Sequence, residues 1–210
     1  DGAPLIGVSN PRQGFARMAA RFFDAQPELI VAVTGTNGKT SVASFVREIW
    51  TGMGFRAASL GTVGVVGPSG TIELQHTTPD PVKLHEIAAA LSADHVKHLA
   101  LEASSHGLSQ YRLDGLRISA GAFTNITRDH LDYHPTFEDY FSAKMRLFDD
   151  LLPPGSPAII NADSPQGDTV KAHAQARGLD IFTVGRAGAA LRLIQAERDG
   201  FGQRLDIQGP

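Results

Sequence analysis

Cysteine is missing from this chain altogether. That excludes a disulfide framework and any thiolate metal site. Long hydrophobic runs are missing too, and none approaches the ~20 apolar residues of a membrane span. A basic excess is also lacking. The net charge is −3 and the sequence pI is near 6.2, which argues against a general nucleic-acid binder. The segment Asp1–Asn10 carries no basic stretch and does not read as a signal peptide, so a cytoplasmic location is the expectation. No internal repeat and no low-complexity segment is visible. What is present is the balance of a globular protein: 42% apolar and 20% charged residues in 210, room for one full α/β domain with something left over. Both ends read as cut. "PLIGVSNPR" is a short apolar strand before Asn-Pro, and "RLDIQGP" stops as an alternating strand finishes. The expectation is a fragment of a longer protein.

Residues 12–24 place Phe15, Met18, Ala19, Phe22 and Phe23 at helical spacing. "AQPE" marks a boundary. Strand-like runs then recur at Leu29–Val33, Ala57–Leu60, His98–Leu101, Ala120–Phe123, Ala158–Ile160 and Ile181–Val184. Helical stretches separate most of them: Lys39–Thr51, Pro81–Ala93, Thr136–Leu151 and Pro165–Arg177. This alternation predicts an α/β fold, a mostly parallel sheet flanked by helices. Two small antiparallel hairpins are predicted beside it, one around Gly67–Gly70 and one from Leu191–Glu197 with Gln203–Ile207.

"TGTNGKTS", Thr34–Ser41, follows the strand "LIVAV" and opens a helix. That context makes a glycine motif a phosphate-loop hypothesis. Glycines let the backbone approach phosphate oxygens, and the helix start offers free N–H groups. Lys39 would neutralise β/γ-phosphate charge, and Thr40 would offer its hydroxyl to Mg²⁺. The pattern is the shorter GxxGKT, because Val33 stands where the common GxxxxGK[ST] loop has its first glycine. A glycine turn with a chance lysine is the plain alternative.

Glu102 follows the strand "HLAL", where an acid faces the ligand crevice of a parallel sheet and could hold Mg²⁺. A helix-start glutamate favoured by the dipole is the other reading. Asp129, His130, Asp132 and His134 form an acidic and imidazole cluster, either metal-binding or solvated loop. On the helix 136–151, Phe137, Tyr140, Phe141, Leu147, Phe148 and Leu151 form an apolar arc. Glu138, Asp139, Ser142, Arg146, Asp149 and Asp150 fall opposite. Lys144 lies inside the apolar arc. A lysine there must snorkel, pair, or change its chemistry. Burial favours the neutral amine, which can add CO2 and become an anionic carbamate, an oxygen ligand for a metal.

"TGTNGKTS", "HTTPDP", "EASSHGLSQYR", "NITRDHLDYH", "SAK" and "INADSP", in this order, resemble the central domain of the Mur ligase family over nearly the whole chain. Within it the blocks "EASSHGL" and "TTPDP" are similar to the MurE type, the UDP-N-acetylmuramoyl-tripeptide synthetases. The resemblance implies an ATP-dependent carboxylate–amine ligase of peptidoglycan synthesis. It would add a diamino acid, meso-diaminopimelate or L-lysine, to UDP-MurNAc-L-Ala-D-Glu through an acyl phosphate. It implies that Gly35, Thr36, Asn37, Gly38, Lys39, Thr40 and Ser41 bind ATP. Thr40 and Glu102 would serve one Mg²⁺, and Glu102, His130 and carbamylated Lys144 a second. Lys39, His130 and Lys144 would carry catalysis. His76, Thr77, Thr78, Ser104, Gln110 and Arg112 would hold the muramoyl dipeptide. One departure is Ser164, where the family usually carries aspartate.

The same resemblance divides the chain. Residues 1–25 would be a remnant of an N-terminal uridine-binding domain with its linker helix, and 26–210 the central ATP-binding domain. The C-terminal amino-acid-binding domain would be absent, leaving the fragment alone inactive. No nucleic-acid or membrane partner is expected, and a monomer is. Three other readings stand beside it: a non-catalytic nucleotide-binding module, another ligase of the folylpolyglutamate/Mur superfamily, and a small-molecule kinase, which would need an Arg-rich lid that the sequence does not show.

Overall fold

The computed structural model describes residues 7–127 and 133–209. Along the chain come α1 (Pro11–Phe23), β1 (Leu29–Thr34), α2 (Lys39–Gly52), β2 (Ala57–Gly61), β3 (Gly64–Gly67) and β4 (Gly70–Ile72). Then follow α3 (Pro81–Ala93), β5 (His98–Glu102), α4 (Ser105–Ser109), β6 (Ile118–Phe123) and α5 (Phe137–Arg146), which runs into a π turn at Leu147–Leu151. The rest is β7 (Pro157–Asn161), α6 (Gly167–Ala176), β8 (Asp180–Gly185), β9 (Leu191–Asp199) and β10 (Gly202–Gln208).

Local chemistry explains where the helices start. Asn10 accepts from the Gln13 N–H at the head of α1, and Asp80 accepts from the Val82 and Lys83 N–H groups at the head of α3; each is followed by a proline. Thr136 caps α5 through the Asp139 N–H. α2 differs. Its first turn follows Gly38, and no side chain caps it.

The strands lie in the order β10-β9-β8-β7-β6-β1-β5-β2-β3-β4. β2, β5, β1, β6, β7, β8 and β9 pair in parallel. β3 and β4 extend one side antiparallel, and β10 closes the other. The central strands are buried, with Ile30, Ala32, Leu99, Leu101, Ala58 and Leu60 in one core, as expected of a sheet covered on both faces. From β1 the chain winds outward to β2 and returns to β5 beside β1. It then crosses to β6 on the far side. Winding reverses at β1, and in open α/β sheets a crevice forms at the carboxyl ends of the strands at such a point.

The expected fold class and both hairpins are present. Three details differ. Of the strand expected in "PLIGVSNPR", residues 4–6 lie outside the described residues, 7–9 form no strand, and Asn10 serves as the cap of α1. The helix expected over Thr136–Leu151 changes to a π turn at Leu147, and its carbonyl accepts from the Leu152 N–H. Arg146, expected opposite the apolar arc, has a side chain only 13% exposed. The cause is packing: α4 lies against α5, so a second face of α5 is buried and one amphipathic arc no longer describes it.

Candidate active site

The site is built at the carboxyl ends of β1, β2, β5 and β6. After β1 the chain turns through Gly35–Gly38. A Cβ on Gly35 (φ 144°) would lie 1.9 Å from Thr124 Oγ1, so only glycine fits this approach to β6. The loop is tied down from β6. Thr36 N–H donates to Asn125 O (2.8 Å), Asn37 N–H to Asn125 Oδ1 (3.0 Å), and Thr124 Oγ1 to Asn37 O (2.7 Å). Thr36 Oγ1 meets Tyr140 OH at 3.0 Å. The loop is therefore held in shape by its neighbours.

Lys39 and Lys144 converge here. Lys39 Nζ donates to Gly35 O (2.9 Å) and Thr36 O (2.8 Å), and Lys144 Nζ donates to the same Gly35 O at 2.8 Å. Lys144 is 1% exposed, with its ammonium 4.3 Å from the centre of the Tyr140 ring. The helix periodicity that put Lys144 on a buried face is correct, and the buried end of the side chain reaches the glycine loop.

Glu102, 2% exposed, ends β5 next to β1, in register with Val33. Its Oε2 accepts from Thr40 Oγ1 (3.0 Å) and Thr62 Oγ1 (3.3 Å), and Oε1 from the Thr62 N–H (2.8 Å). The side chain crosses Gly61, where a Cβ would sit 1.9 Å from Oε1. A carboxylate and two hydroxyls form a hard, all-oxygen donor set that suits Mg²⁺. Among the described residues no group of three or more histidine or carboxylate side chains gathers as a metal cluster.

A cavity of about 490 Å³ opens over these groups. Lys39, Lys144, Thr62, His76 and Thr77 line it, as do Thr78, Ser104, Ser105, His106 and Arg112. Thr78 contributes mainly as scaffold. Its hydroxyl donates to Glu102 O (2.9 Å) and accepts from Ser104 Oγ (2.9 Å). Arg112 donates to Thr78 O (2.6 Å) and, through two nitrogens, to Gln110 Oε1 (3.1 and 2.8 Å). These acceptors are neutral, so the guanidinium keeps its charge for an anion. Gln110 acts from behind Arg112 and also donates to Tyr133 OH (2.8 Å). Ser41, at the solvent side of α2, is exposed.

His130, with Asp129 and Asp132, lies outside the described residues. His134 of the same cluster is 4% exposed and packs against the His106, Tyr133 and Tyr140 rings. In "INADSP", Asp163 accepts from the Arg186 and Ala187 N–H groups, both at 2.8 Å. Those backbone bonds, Ala187 first, hold its carboxyl below the usual carboxylate range and bind the β8–β9 connection. Sequence reading missed Thr62, Thr124, Asn125 and Tyr140. The hydroxyl after β2 had one usable signal, its place at the carboxyl end of a strand. The others depend on which strand lands beside β1.

Fold and site together define a parallel α/β domain with a glycine-rich strand–loop–helix at its topological switch point. The chain belongs to the Mur ligase family: residues 33–209 match the Mur ligase middle domain. It is 53% identical over 209 residues to the UDP-N-acetylmuramoyl-L-alanyl-D-glutamate–2,6-diaminopimelate ligase of Bradyrhizobium diazoefficiens, covering 98% of this chain and 43% of that one. A solved structure of a ligase with the same name superimposes with TM-score 0.85 at 31% identity, covering 98% of this chain and 44% of the other. A Mycobacterium tuberculosis folylpolyglutamate synthase complexed with ADP shares the fold at 16% identity and TM-score 0.73, over 94% of this chain and 50% of its own. The chain spans less than half the length of the curated relatives it matches. No helix among the described residues is long and apolar enough to cross a membrane.

Proposed function

We propose that this chain is the ATP-handling core of an enzyme of peptidoglycan precursor synthesis, a monomer of the cytoplasm. It would join a diamino acid to UDP-MurNAc-L-Ala-D-Glu. The carrying observation is that Lys39, Lys144 and Arg112 line one cavity together with Thr62, whose hydroxyl donates to Glu102, the carboxylate that also accepts from Thr40. The names of the relatives favour 2,6-diaminopimelate over L-lysine.

In this reading the loop Gly35–Ser41 receives the ATP phosphates, and Lys39 offsets charge on the transferring group. A substrate carboxylate oxygen attacks the γ-phosphorus and ADP leaves. The amine then attacks the acyl carbon, loses a proton, and phosphate departs with the bonding pair. Thr40 and Glu102 would hold one Mg²⁺, which supplies charge neutralisation when bound. Glu102, His130 and a carbamate on Lys144 would hold a second. His76, Thr77, Thr78 and Ser104, with Arg112 backed by Gln110, would hold the muramoyl dipeptide, Arg112 by its fork on an anionic oxygen pair. Residues 1–25 and 26–210 would be the remnant and the central domain. Flanking domains would bind the uridine and the incoming amino acid, and the fragment alone would not ligate.

The test is phosphate release by the full-length parent with ATP and Mg²⁺, with and without the muramoyl dipeptide and the diamino acid. Release should need both substrates and should vanish in Lys39→Ala without loss of the folded state. Release driven instead by a folate or a free sugar would overturn the reading.

A further inference from the structure

Arg146 sits two residues beyond Lys144 on α5, and its guanidinium grips one short segment at three points. It donates to Leu108 O at the start of that segment. It lies over the Tyr111 ring in the middle, 3.8 Å from the centroid. It donates to Asp114 Oδ2 at the end, at 3.2 Å. Asp150, one turn on, accepts from its Nε at 2.9 Å. The gripped segment carries Gln110 and Arg112. Between them Tyr111 has φ 60°, a left-handed backbone that a bulky side chain rarely adopts. Asp114 is 2% exposed and also accepts from Gln13 Nε2 at 2.8 Å. Tyr111 turns toward α5, while Gln110 and Arg112 serve the cavity.

We propose that Arg146 is a positioning residue that clamps Leu108–Asp114 so that Arg112 presents its fork to the anionic substrate, and that it ties this wall to the helix carrying Lys144. The inference rests on the ligase reading above for the identity of that substrate. The physical reason is pre-organisation. An unusual backbone turn is held by a planar cation that can stack and bond in several directions at once. A lysine could keep one ionic bond to Asp114, but could not also stack on Tyr111 and reach Leu108 O. Thr78 O anchors Arg112 by a separate hydrogen bond of 2.6 Å, so the clamp is a second support.

The experiment compares Arg146→Lys and Arg146→Leu with wild type in the full-length parent. Two readouts are taken: amide hydrogen exchange over residues 108–114, and steady-state kinetics. In Arg146→Lys, exchange over Tyr111–Asp114 should quicken by about tenfold or more. KM for the muramoyl dipeptide should rise by about tenfold, with KM for ATP unchanged and kcat within about threefold. Arg146→Leu should show the same split more strongly. If it does not fold, because Asp114 loses its charge partner, the lysine variant alone decides. Unchanged exchange in Arg146→Lys overturns the clamp whatever the substrate is. Faster exchange with an unchanged dipeptide KM overturns its role in positioning. A parallel fall in kcat, ATP affinity and thermal stability would mark a purely structural arginine and also overturn it. A wild-type parent that neither binds nor turns over the dipeptide would instead sink the ligase reading, with the exchange result still judging the clamp.

Discussion

At the scale of single residues, two ammonium groups meet one carbonyl oxygen. Lys39 and Lys144 both donate to Gly35 O. Like charges brought this close repel, more so where burial limits screening. A carbamate on Lys144 would replace that repulsion with attraction and add the anionic oxygens a second metal needs. The ammonium first gives up one proton; the neutral nitrogen then attacks CO2, an N–C bond forms as one C=O π pair moves onto oxygen, and a second proton is released. In the full-length parent, Lys144→Ala should therefore lose activity by about 100-fold or more, in the range of losing a metal's orienting ligands. Added formate or acetate should restore part of it, measured as kcat against carboxylate concentration. A fully active alanine variant would return Lys144 to a structural role. The burial of Lys144 was legible because a helix repeats at about 100° per residue, so its neighbours reveal its face. The contacts of Arg146 with Leu108, Tyr111 and Asp114 were not legible, because these residues lie on α4 and the turn after it.

At the scale of elements, the pairing of β2 with β5 decides how Glu102 is held. Leu60 lies beside Leu101, so the side chain of the next residue, Glu102, passes over Gly61 toward Thr62 and Thr40. Gly61→Ala would place a methyl group 1.9 Å from Glu102 Oε1 and 2.5 Å from its Cγ. Overpacking of this kind costs about 1–3 kcal/mol, to be read from denaturant unfolding. The displaced carboxylate should also raise the Mg²⁺ concentration for half-maximal activity by about tenfold, since second-contact changes near a metal typically cost that much. An unchanged Mg²⁺ requirement would remove Glu102 from the metal site. Nothing in the residues around Gly61 announces this. The constraint exists only once β5 has come to lie between β2 and β1.

At the scale of the whole molecule, His85 joins three parts. It sits on α3, 2% exposed, with Nε2 3.2 Å from Asp114 O. A Cβ on the neighbouring Gly115 would crowd both Ala20 of α1 and His85. Burial holds the imidazole below its ordinary value, with the backbone bond to Asp114 opposing in part. The unfolded chain, titrating near pH 6.5, then takes up a proton that the folded one refuses. The contribution is constant above about pH 6.5 and turns destabilising as pH falls below it, down toward the lowered folded value. Thermal unfolding of wild type should thus weaken more steeply on acidification than that of His85→Gln. Parallel curves would show that the burial of His85 is not felt as a pH effect. The sequence by itself determined the alternation of strand and helix, the glycine loop between β1 and α2, and the buried side of α5. Those features are set by local spacing, by capping and turn chemistry, and by apolar periodicity. Tertiary structure alone decided strand order. Through that order it decided that Glu102 and Thr124 flank the loop, that Lys39 and Lys144 share one oxygen, and that Arg146 reaches Tyr111 and Asp114. Such meetings join residues far apart in the chain, and only the packing of whole elements fixes which of them touch.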